Sequence, residues 1–274
     1  AFAPGATAEV ATAIKNAYSG SLQNTNENLP SFTGNTDAYR AYLKTPDYTW
    51  GSNTTKGHKG SMYYTMVKYG LNAPNATNYE NASRGFVHYF HGVNPIGKVY
   101  LTNLYDSKAD SSINEIYHSW FGDGTVYDHA LTSPKGPPPG FVPGGANPTY
   151  APDASYGSMI SPPQNNPAQK SYKDWNTGYP QNSWTISEIG IYTQAAYVRA
   201  LSKFVENTPC PDNVTVNIPT TAPAIVQSQQ TLRGNNLVVP NTSVTFQSGR
   251  SVLLEKGFEA LQGSTFSAKI TGCN

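Results

Sequence analysis

A long helical pattern over residues 182–205 constrains the fold of this 274-residue chain more than any other stretch. At about 100° per residue, apolar side chains from Ile186 to Phe204 share one broad arc, and Ile191 and Val198 widen it. A helix that is apolar over most of its circumference is typical of a protein interior. The pattern therefore predicts a buried helix around which the other elements are organised.

Glu188 is the acidic residue near the start of this pattern, and the residues alone leave two interpretations open. Thr185 and Glu188 fit a capping box, in which the carboxylate accepts a hydrogen bond from the N-cap amide. The helix dipole also favours an acid in the first turn. The alternative interpretation is a catalytic carboxyl at the start of a buried helix. Nothing within residues 182–205 distinguishes the two.

Five blocks of the sequence resemble, in the same order, the motifs of family 9 glycoside hydrolases. They are WGSN at 50–53, HYFHGVNPIG at 88–97, PPPG and GGAN between 137 and 147, YKD at 172–174, and SEIGIYTQAAYVRAL at 187–201. Members of this family are inverting endo-β-1,4-glucanases on an (α/α)6 barrel, and the resemblance implies that Glu188 is the general acid. The similarity covers residues 1–206 and corresponds to the C-terminal half of that catalytic domain.

The resemblance leaves the catalytic base without a match. An inverting glycosidase needs a second carboxyl about 6.5–9.5 Å from the acid, so that a water molecule fits between them. The family takes this base from a DAGD motif, and the chain contains no such motif. We therefore expect the base to come from outside this chain.

The resemblance also implies a β-glucan groove. Aromatic side chains suit sugar rings because stacking buries apolar C–H surface at low entropic cost. His118 stands where the family carries a sugar-holding histidine, although no arginine follows it. The predicted substrate-binding residues are Trp50, His118, Tyr150, Tyr156 and Trp175.

The fold expected from these observations is mainly α, part of an (α/α)6 barrel, over residues 1–206, followed by a small all-β module over residues 207–274. Besides the pattern at 182–205, helices are predicted near residues 6–22, 36–43, 52–69, 78–92 and 111–120. Residues 122–181 are rich in Gly and Pro and lack a helical period, which favours a functional rim loop.

After Val205 the composition changes, and short β-type runs alternate with glycines, which is typical of a small all-β module. This segment resembles a module found near the C-termini of secreted Bacteroidetes proteins. We expect a stack of short β coils, with an immunoglobulin-like sandwich as the alternative. Cys210 and Cys273 bracket the segment with no histidine between them, which predicts a disulfide and an extracellular location.

Charge and metal-ligand spacing narrow the possible partners. The formal net charge of +1 gives no electrostatic reason to expect a nucleic acid or an anionic membrane. His88 and His91 lack a third ligand at suitable spacing, so packing or hydrogen bonding is favoured over metal binding. The residues predict no cofactor, and calcium is implied by the family resemblance alone.

The functional prediction is a secreted bacterial β-1,4-glucan hydrolase that works by single displacement, with Glu188 as the general acid. The alternative is a non-catalytic carbohydrate-binding or scaffold protein derived from that family. Half of a barrel leaves apolar helix faces uncovered. The expected partners are therefore a β-glucan or cello-oligosaccharide, and either a separate N-terminal half of the catalytic domain or another copy of this chain.

Overall fold

The computed structural model describes residues 2–118, 122–151, 160–179, 181–205 and 210–273. It divides the chain into two compact units, residues 1–205 and 206–274, next to the boundary predicted after residue 206. We call the first the helical unit and the second the β module. No helix in the described part of the chain is long and apolar enough to cross a lipid bilayer.

The helical unit is mainly α, as predicted. Its helices are α1 (Ala8–Asn24), α2 (Leu29–Thr33), α3 (Ser52–Lys68), α4 (Ala76–Phe90), α5 (Trp184–Ser187) and α6 (Ile191–Leu201). A short parallel pair accompanies them, β1 (Val99–Thr102) and β2 (Ser112–Ile113). The helices predicted near residues 6–22, 52–69 and 78–92 are confirmed as α1, α3 and α4.

Helix α3 packs against both α4 and α6, and glycines allow the close approach. A Cβ atom on Gly57 would lie 2.8 Å from the carbonyl carbon of Ala196 in α6. A Cβ atom on Gly60 would lie 3.1 Å from Cβ of Phe86 in α4. The core around this contact is unusually aromatic, and its fully buried rings include Tyr48, Tyr63, Tyr79, Tyr89, Phe90 and Tyr100.

Two of the predicted helices are wrong, because carboxylates capture the backbone amides that a helix would use. Residues 36–43 form turns, in which the Asp37 carboxylate accepts the N–H groups of Tyr39 and Ala41. The helix in this region lies earlier, at α2, where Pro30 stands in the first turn. In the stretch 111–120, whose last two residues lie outside the described part of the chain, Ser112 and Ile113 form β2 instead.

The single helix predicted over 182–205 is also wrong, since it is interrupted between α5 and α6. Glu188 has φ −62° and ψ 139°, and it follows α5 in an extended conformation. The capping-box interpretation fails because Thr185 lies within α5 and Glu188 lies beyond it. The expected burial is confirmed at Ala196 and Ala200, and it is wrong for the residues predicted to widen the apolar arc, since Ile191 is 89% exposed and Val198 58% exposed.

In the β module every described strand pair is parallel, which confirms the stack of β coils and excludes the antiparallel sandwich. The strands are β3 (Asn213–Val216), β4 (Ala224–Ser228), β5 (Thr231–Gly234), β6 (Leu237–Val238), β7 (Ser243–Ser248), β8 (Ser251–Leu254), β9 (Glu259–Ala260) and β10 (Thr265–Lys269). Their orders are β3-β5-β8, β10-β7-β4 and β6-β9. Cys210 and Cys273 form the predicted disulfide, with Cα atoms 6.2 Å apart.

Candidate active site

Glu188 is held in place by the backbone on both sides. Glu188 forms a parallel bridge with Tyr117, and the amide of Tyr117 donates to the carbonyl of Ser187 at 3.2 Å. Ile189 forms an antiparallel bridge with Pro143. These pairings take the backbone out of the helical conformation, so the carboxyl projects from a short extended link.

The blocks at 50–53 and 144–147 meet directly behind this link. The amide of Asn53 donates to the carbonyl of Gly144 at 2.9 Å, and its side-chain amide donates to the carbonyl of Pro143 at 3.0 Å. Gly145 has φ +104°, and a Cβ atom there would lie 2.6 Å from the Asn53 side chain. The amide of Gly145 in turn donates to the carbonyl of Ile186 at 2.8 Å. Glycine is therefore required at 145 for both its backbone conformation and its close packing.

Trp50 contacts the candidate acid directly. Its indole Nε1 donates a hydrogen bond to Oε2 of Glu188 at 2.9 Å. The ring also packs edge-on against Tyr192, with centroids 5.9 Å apart, and the side chain is 38% exposed. A tryptophan in this position orients the carboxyl and still leaves part of its ring open to a ligand.

A cleft of about 520 Å³ opens beside Glu188. Its lining brings together two predicted site residues, Glu188 and His118, with a second acid, Asp123. The full lining consists of Tyr117, His118, Gly122, Asp123, Asn176, Thr177, Gly178 and Glu188. Asp123, Asn176 and Thr177 were not predicted as site residues from the sequence. No local pattern could have found them, since they reach the cleft only through the folding of two loops.

The other predicted aromatic residues do not line this cleft. Tyr150 is 1% exposed and Trp175 is 8% exposed. The two rings pack against each other at 5.3 Å, and the Tyr150 hydroxyl donates to the carbonyl of Gln181 at 2.8 Å. Because both lie in the hydrophobic core, neither ring offers a face to a sugar. Tyr156 lies outside the described residues.

Two segments of the cleft wall are joined by three carboxylates, which we call the carboxylate brace: Asp123, Glu115 and Asp174. Oε2 of Glu115 accepts the amide of Asn176 at 2.7 Å, and Oδ2 of Asp123 accepts the amide of Gly178 at 2.8 Å. In the opposite direction, Oδ1 of Asp174 accepts the amide of Glu115 at 3.2 Å. Asp174 accepts the backbone amides of both Asn114 and Glu115, which accounts for the absence of a helix at these two residues.

The brace is only partly neutralised by cations. Lys98 Nζ lies 2.6 Å from Oδ2 of Asp174, and Nε2 of His129 lies 3.9 Å from Oε1 of Glu115. Burial raises the pKa of Glu115 to about 7, and the neighbouring carboxylates Asp128, Asp174 and Asp123 add to the rise against the opposing amide of Asn176. Glu115 is therefore a group that changes charge near neutral pH.

The histidine and carboxylate side chains that could ligate a metal make other contacts in the structure. Within the described residues, no group of three or more His, Cys, Asp or Glu side chains is placed to hold a metal ion. His91 hydrogen-bonds through Nε2 to the Tyr197 hydroxyl at 2.8 Å, as the hydrogen-bonding interpretation expects, and burial lowers its pKa. Glu115 and Asp123 are engaged by backbone amides. Calcium therefore remains an implication of the resemblance.

The fold and the cleft define part of a helical barrel with the Glu188 carboxyl in the wall of a cleft. A family model described as glycosyl hydrolase family 9 matches residues 4–201, which is most of the chain. The chain belongs to glycosyl hydrolase family 9. No curated protein sequence matches it.

Several solved structures share the fold. The family 9 endoglucanase J30 is 22% identical with a TM-score of 0.54, and the match covers 74% of this chain and 32% of J30. A single-mutant thermostable endoglucanase from Alicyclobacillus acidocaldarius is 18% identical with a TM-score of 0.53, over 73% of this chain and 32% of that one. AaCel9A, solved with a cellobiose-like isofagomine, is 20% identical with a TM-score of 0.51, over 72% and 32%. The chain thus spans about a third of the length of these structures.

Proposed function

We propose that this chain supplies the general acid and one wall of the sugar cleft in a secreted β-1,4-glucan hydrolase that inverts the anomeric centre. The observation that carries the proposal is the position of Glu188. Its carboxyl stands at a cleft shared with His118 and receives a hydrogen bond from the partly exposed Trp50. Trp50 and His118 are the residues we propose to contact the glucan.

The acid has to donate a proton to the glycosidic oxygen while a base activates water on the opposite face of the sugar. Trp50 Nε1 donates a hydrogen bond to Oε2 of Glu188. The other carboxyl oxygen, Oε1, is therefore the one that can carry the proton for transfer. Family membership and the cellobiose-like isofagomine bound by AaCel9A support a β-glucan substrate. The disulfide supports an oxidising, extracellular location.

We propose further that the base comes from a partner. Several apolar side chains of the helical unit are exposed, including Val10, Ile14, Trp184, Ile191, Tyr192 and Val198. Apolar faces of this kind are typical of helices that pack against other elements. A separate N-terminal half of a family 9 catalytic domain would cover them and bring the base, and a second copy of this chain is the alternative cover.

The test is hydrolysis of carboxymethyl-cellulose by three samples: this chain alone, this chain mixed with an N-terminal family 9 half-domain, and the same mixture carrying Glu188→Gln. Loss of a positioned acid or base costs about 10²- to 10⁴-fold in rate, so we expect activity only in the unmutated mixture. Glu9→Gln, at an exposed position in the same unit, is the matched control and should leave activity unchanged. Full activity of Glu188→Gln would reject the acid assignment.

Ordinary cellulase activity of the chain alone would reject the claim that the base is missing. Asp123 would then be the first candidate base, because it lines the same cleft as Glu188. The non-catalytic alternative makes a different forecast, in which cello-oligosaccharides bind but no sample turns over.

A further inference from the structure

The carboxylate brace connects a titrating group to the wall of the cleft. Residues 176–178 line the cleft. The backbone amide of Asn176 donates a hydrogen bond to Glu115, and that of Gly178 donates one to Asp123. Glu115 itself lies behind the wall and is not among the lining residues. Its effect on a ligand must therefore pass through Asn176.

Glu115 differs from the other members of the brace in its surroundings. Asp174 is paired with Lys98 at 2.6 Å, and Asp123 is exposed to solvent. The Glu115 side chain is only 20% exposed, and its basic neighbour, His129, is 3.9 Å away. Three aspartates, Asp123, Asp128 and Asp174, also act on it. Because few positive charges offset the burial of Glu115 and the nearby aspartates, its carboxyl changes charge within the pH range in which the protein would work.

Building on the proposed function, we propose that Glu115 is a positioning residue that fixes the Asn176–Gly178 wall, and that β-glucan binding tightens when this carboxyl ionises. A hydrogen bond to an ionised acceptor is roughly twice as strong as one to a neutral acceptor. The amide of Asn176 is therefore held more firmly by the carboxylate than by the acid, and the wall is better ordered above pH 7 than below it.

Thermodynamic linkage makes the proposal reciprocal. If glucan binds more tightly to the ionised form, bound glucan must lower the pKa of Glu115 by the matching amount. His129 faces the same carboxyl, and a change in the charge of its imidazole is the alternative source of a pH-dependent glucan affinity. The variants must therefore separate the carboxyl from the imidazole.

The first measurement is the dissociation constant of a cello-oligosaccharide at several pH values between 5.5 and 8.5. We expect affinity to rise about fivefold with pH in the wild-type chain, which corresponds to the difference between a charged and a neutral acceptor. Glu115→Gln should abolish this rise, whereas His129→Asn and the exposed control Glu9→Gln should retain it. A rise that persists unchanged in Glu115→Gln overturns the inference and leaves the proposed function standing.

The second measurement needs no variant. In an NMR titration of the wild-type chain, the amide of Asn176 should follow the titration of the Glu115 carboxyl carbon, and saturating sugar should lower that carbon's midpoint. An Asn176 amide that does not move with Glu115 overturns the positioning role, even if Glu115→Gln fails to fold. If the wild type binds no sugar at any pH, the proposed function and the binding half of the inference fail together, while a titrating amide still supports the positioning half.

Discussion

In the β module, side chains stack on neighbours of similar kind one coil away, whereas the helical unit joins residues far apart in the chain. Leu232 pairs in register with Val214 and Val252, and Gln227 donates to Gln247 on the next coil at 2.7 Å. In the helical unit, by contrast, Trp50 reaches Glu188 and Lys98 reaches Asp174. The β module repeats the same side-chain pairing from coil to coil, and the helical unit depends on polar contacts between residues far apart in the chain.

The two regions also differ in how they are closed. The β module has a core of four fully buried apolar residues, Leu232, Val238, Val244 and Phe246, and a disulfide near its ends. The helical unit has a large aromatic core and yet exposes apolar side chains such as Ile191 and Val198. The small module is covalently closed, whereas the larger unit leaves apolar side chains exposed to solvent.

The largest effect that tests this comparison is removal of the disulfide. The 63-residue separation corresponds to about 4 kcal/mol in the chain-entropy description. Replacing both cysteines by alanine should therefore lower the free energy of unfolding of the β module by about that amount. All 4 Trp and 19 Tyr residues lie before residue 206, so tryptophan emission reports the helical unit alone. Far-UV circular dichroism follows both units.

We expect the double variant to move the β-module transition to lower denaturant and to leave the tryptophan transition in place. Wild-type protein unfolded with a reductant should behave like the variant. A tryptophan transition that shifts equally would show that the two units unfold together, and the comparison would then fail.

A smaller effect is expected where α3 meets α6. Gly57→Ala places a methyl group 2.8 Å from the backbone of Ala196, so the helices must separate. Overpacking of this kind costs about 1–3 kcal/mol. The matched control is Gly20→Ala in α1, where the nearest atom lies 3.9 Å away and the change should stabilise by up to about 1 kcal/mol. Urea unfolding followed by tryptophan emission should give changes of opposite sign, and equal changes would contradict the packing argument.

The same contrast explains what could be predicted from the sequence. The strands around Val244 and Phe266 alternate inward apolar and outward polar residues, and the glycines between them mark the turns. Helices α3 and α4 have a helical period and a stop signal, such as Gly70 with φ +57°. In each case the information is carried within a few residues, and the prediction was confirmed.

The predictions failed where distant carboxylates and backbone bridges override the local pattern. The stretch around Glu188 has a helical period, but its pairing with Tyr117 and Pro143 breaks the helix at the candidate acid. Tyr150 was placed at the groove on its chemistry alone, and it is buried because Trp175 packs on it. Glu188 and His118 were identified by resemblance to a family, and no residue pattern would have brought Asp123 to their cleft.

The smallest expected effect concerns a buried charge that the β module does not share. Lys56 is fully buried, and its Nζ donates to the carbonyl of Ala41 and, at 2.9 Å, to the Tyr48 hydroxyl. The same atom lies 4.1 Å from the ring centroid of Tyr89. Burial lowers the pKa of Lys56 from 10.5 to about 7, with Asp37 opposing the shift and Lys59 adding to it.

A lowered lysine pKa means that the folded protein releases this proton before the unfolded chain does. The cost of burying the charge is therefore complete below pH 7, and it diminishes as pH rises from 7 toward 10.5. Glu115 acts in the opposite direction, since its raised pKa makes stability fall as pH rises from 4.5 to 7. In the interval from pH 7.5 to 9 Lys56 makes the larger contribution, and Lys59, whose pKa burial also lowers, acts in the same direction.

In this interval we expect the free energy of unfolding of the helical unit to rise by about 1 kcal/mol per pH unit. Lys56→Met, which keeps the length of the side chain and removes the charge, should flatten the slope. Lys68→Met, at the exposed end of the same helix, should retain it. Urea unfolding monitored by tryptophan emission at pH 7.5, 8.25 and 9 measures the slope for all three proteins. A Lys56→Met slope equal to the wild-type slope would mean that the buried ammonium does not govern the pH response. The pH dependence of the helical unit would then arise from other titrating groups.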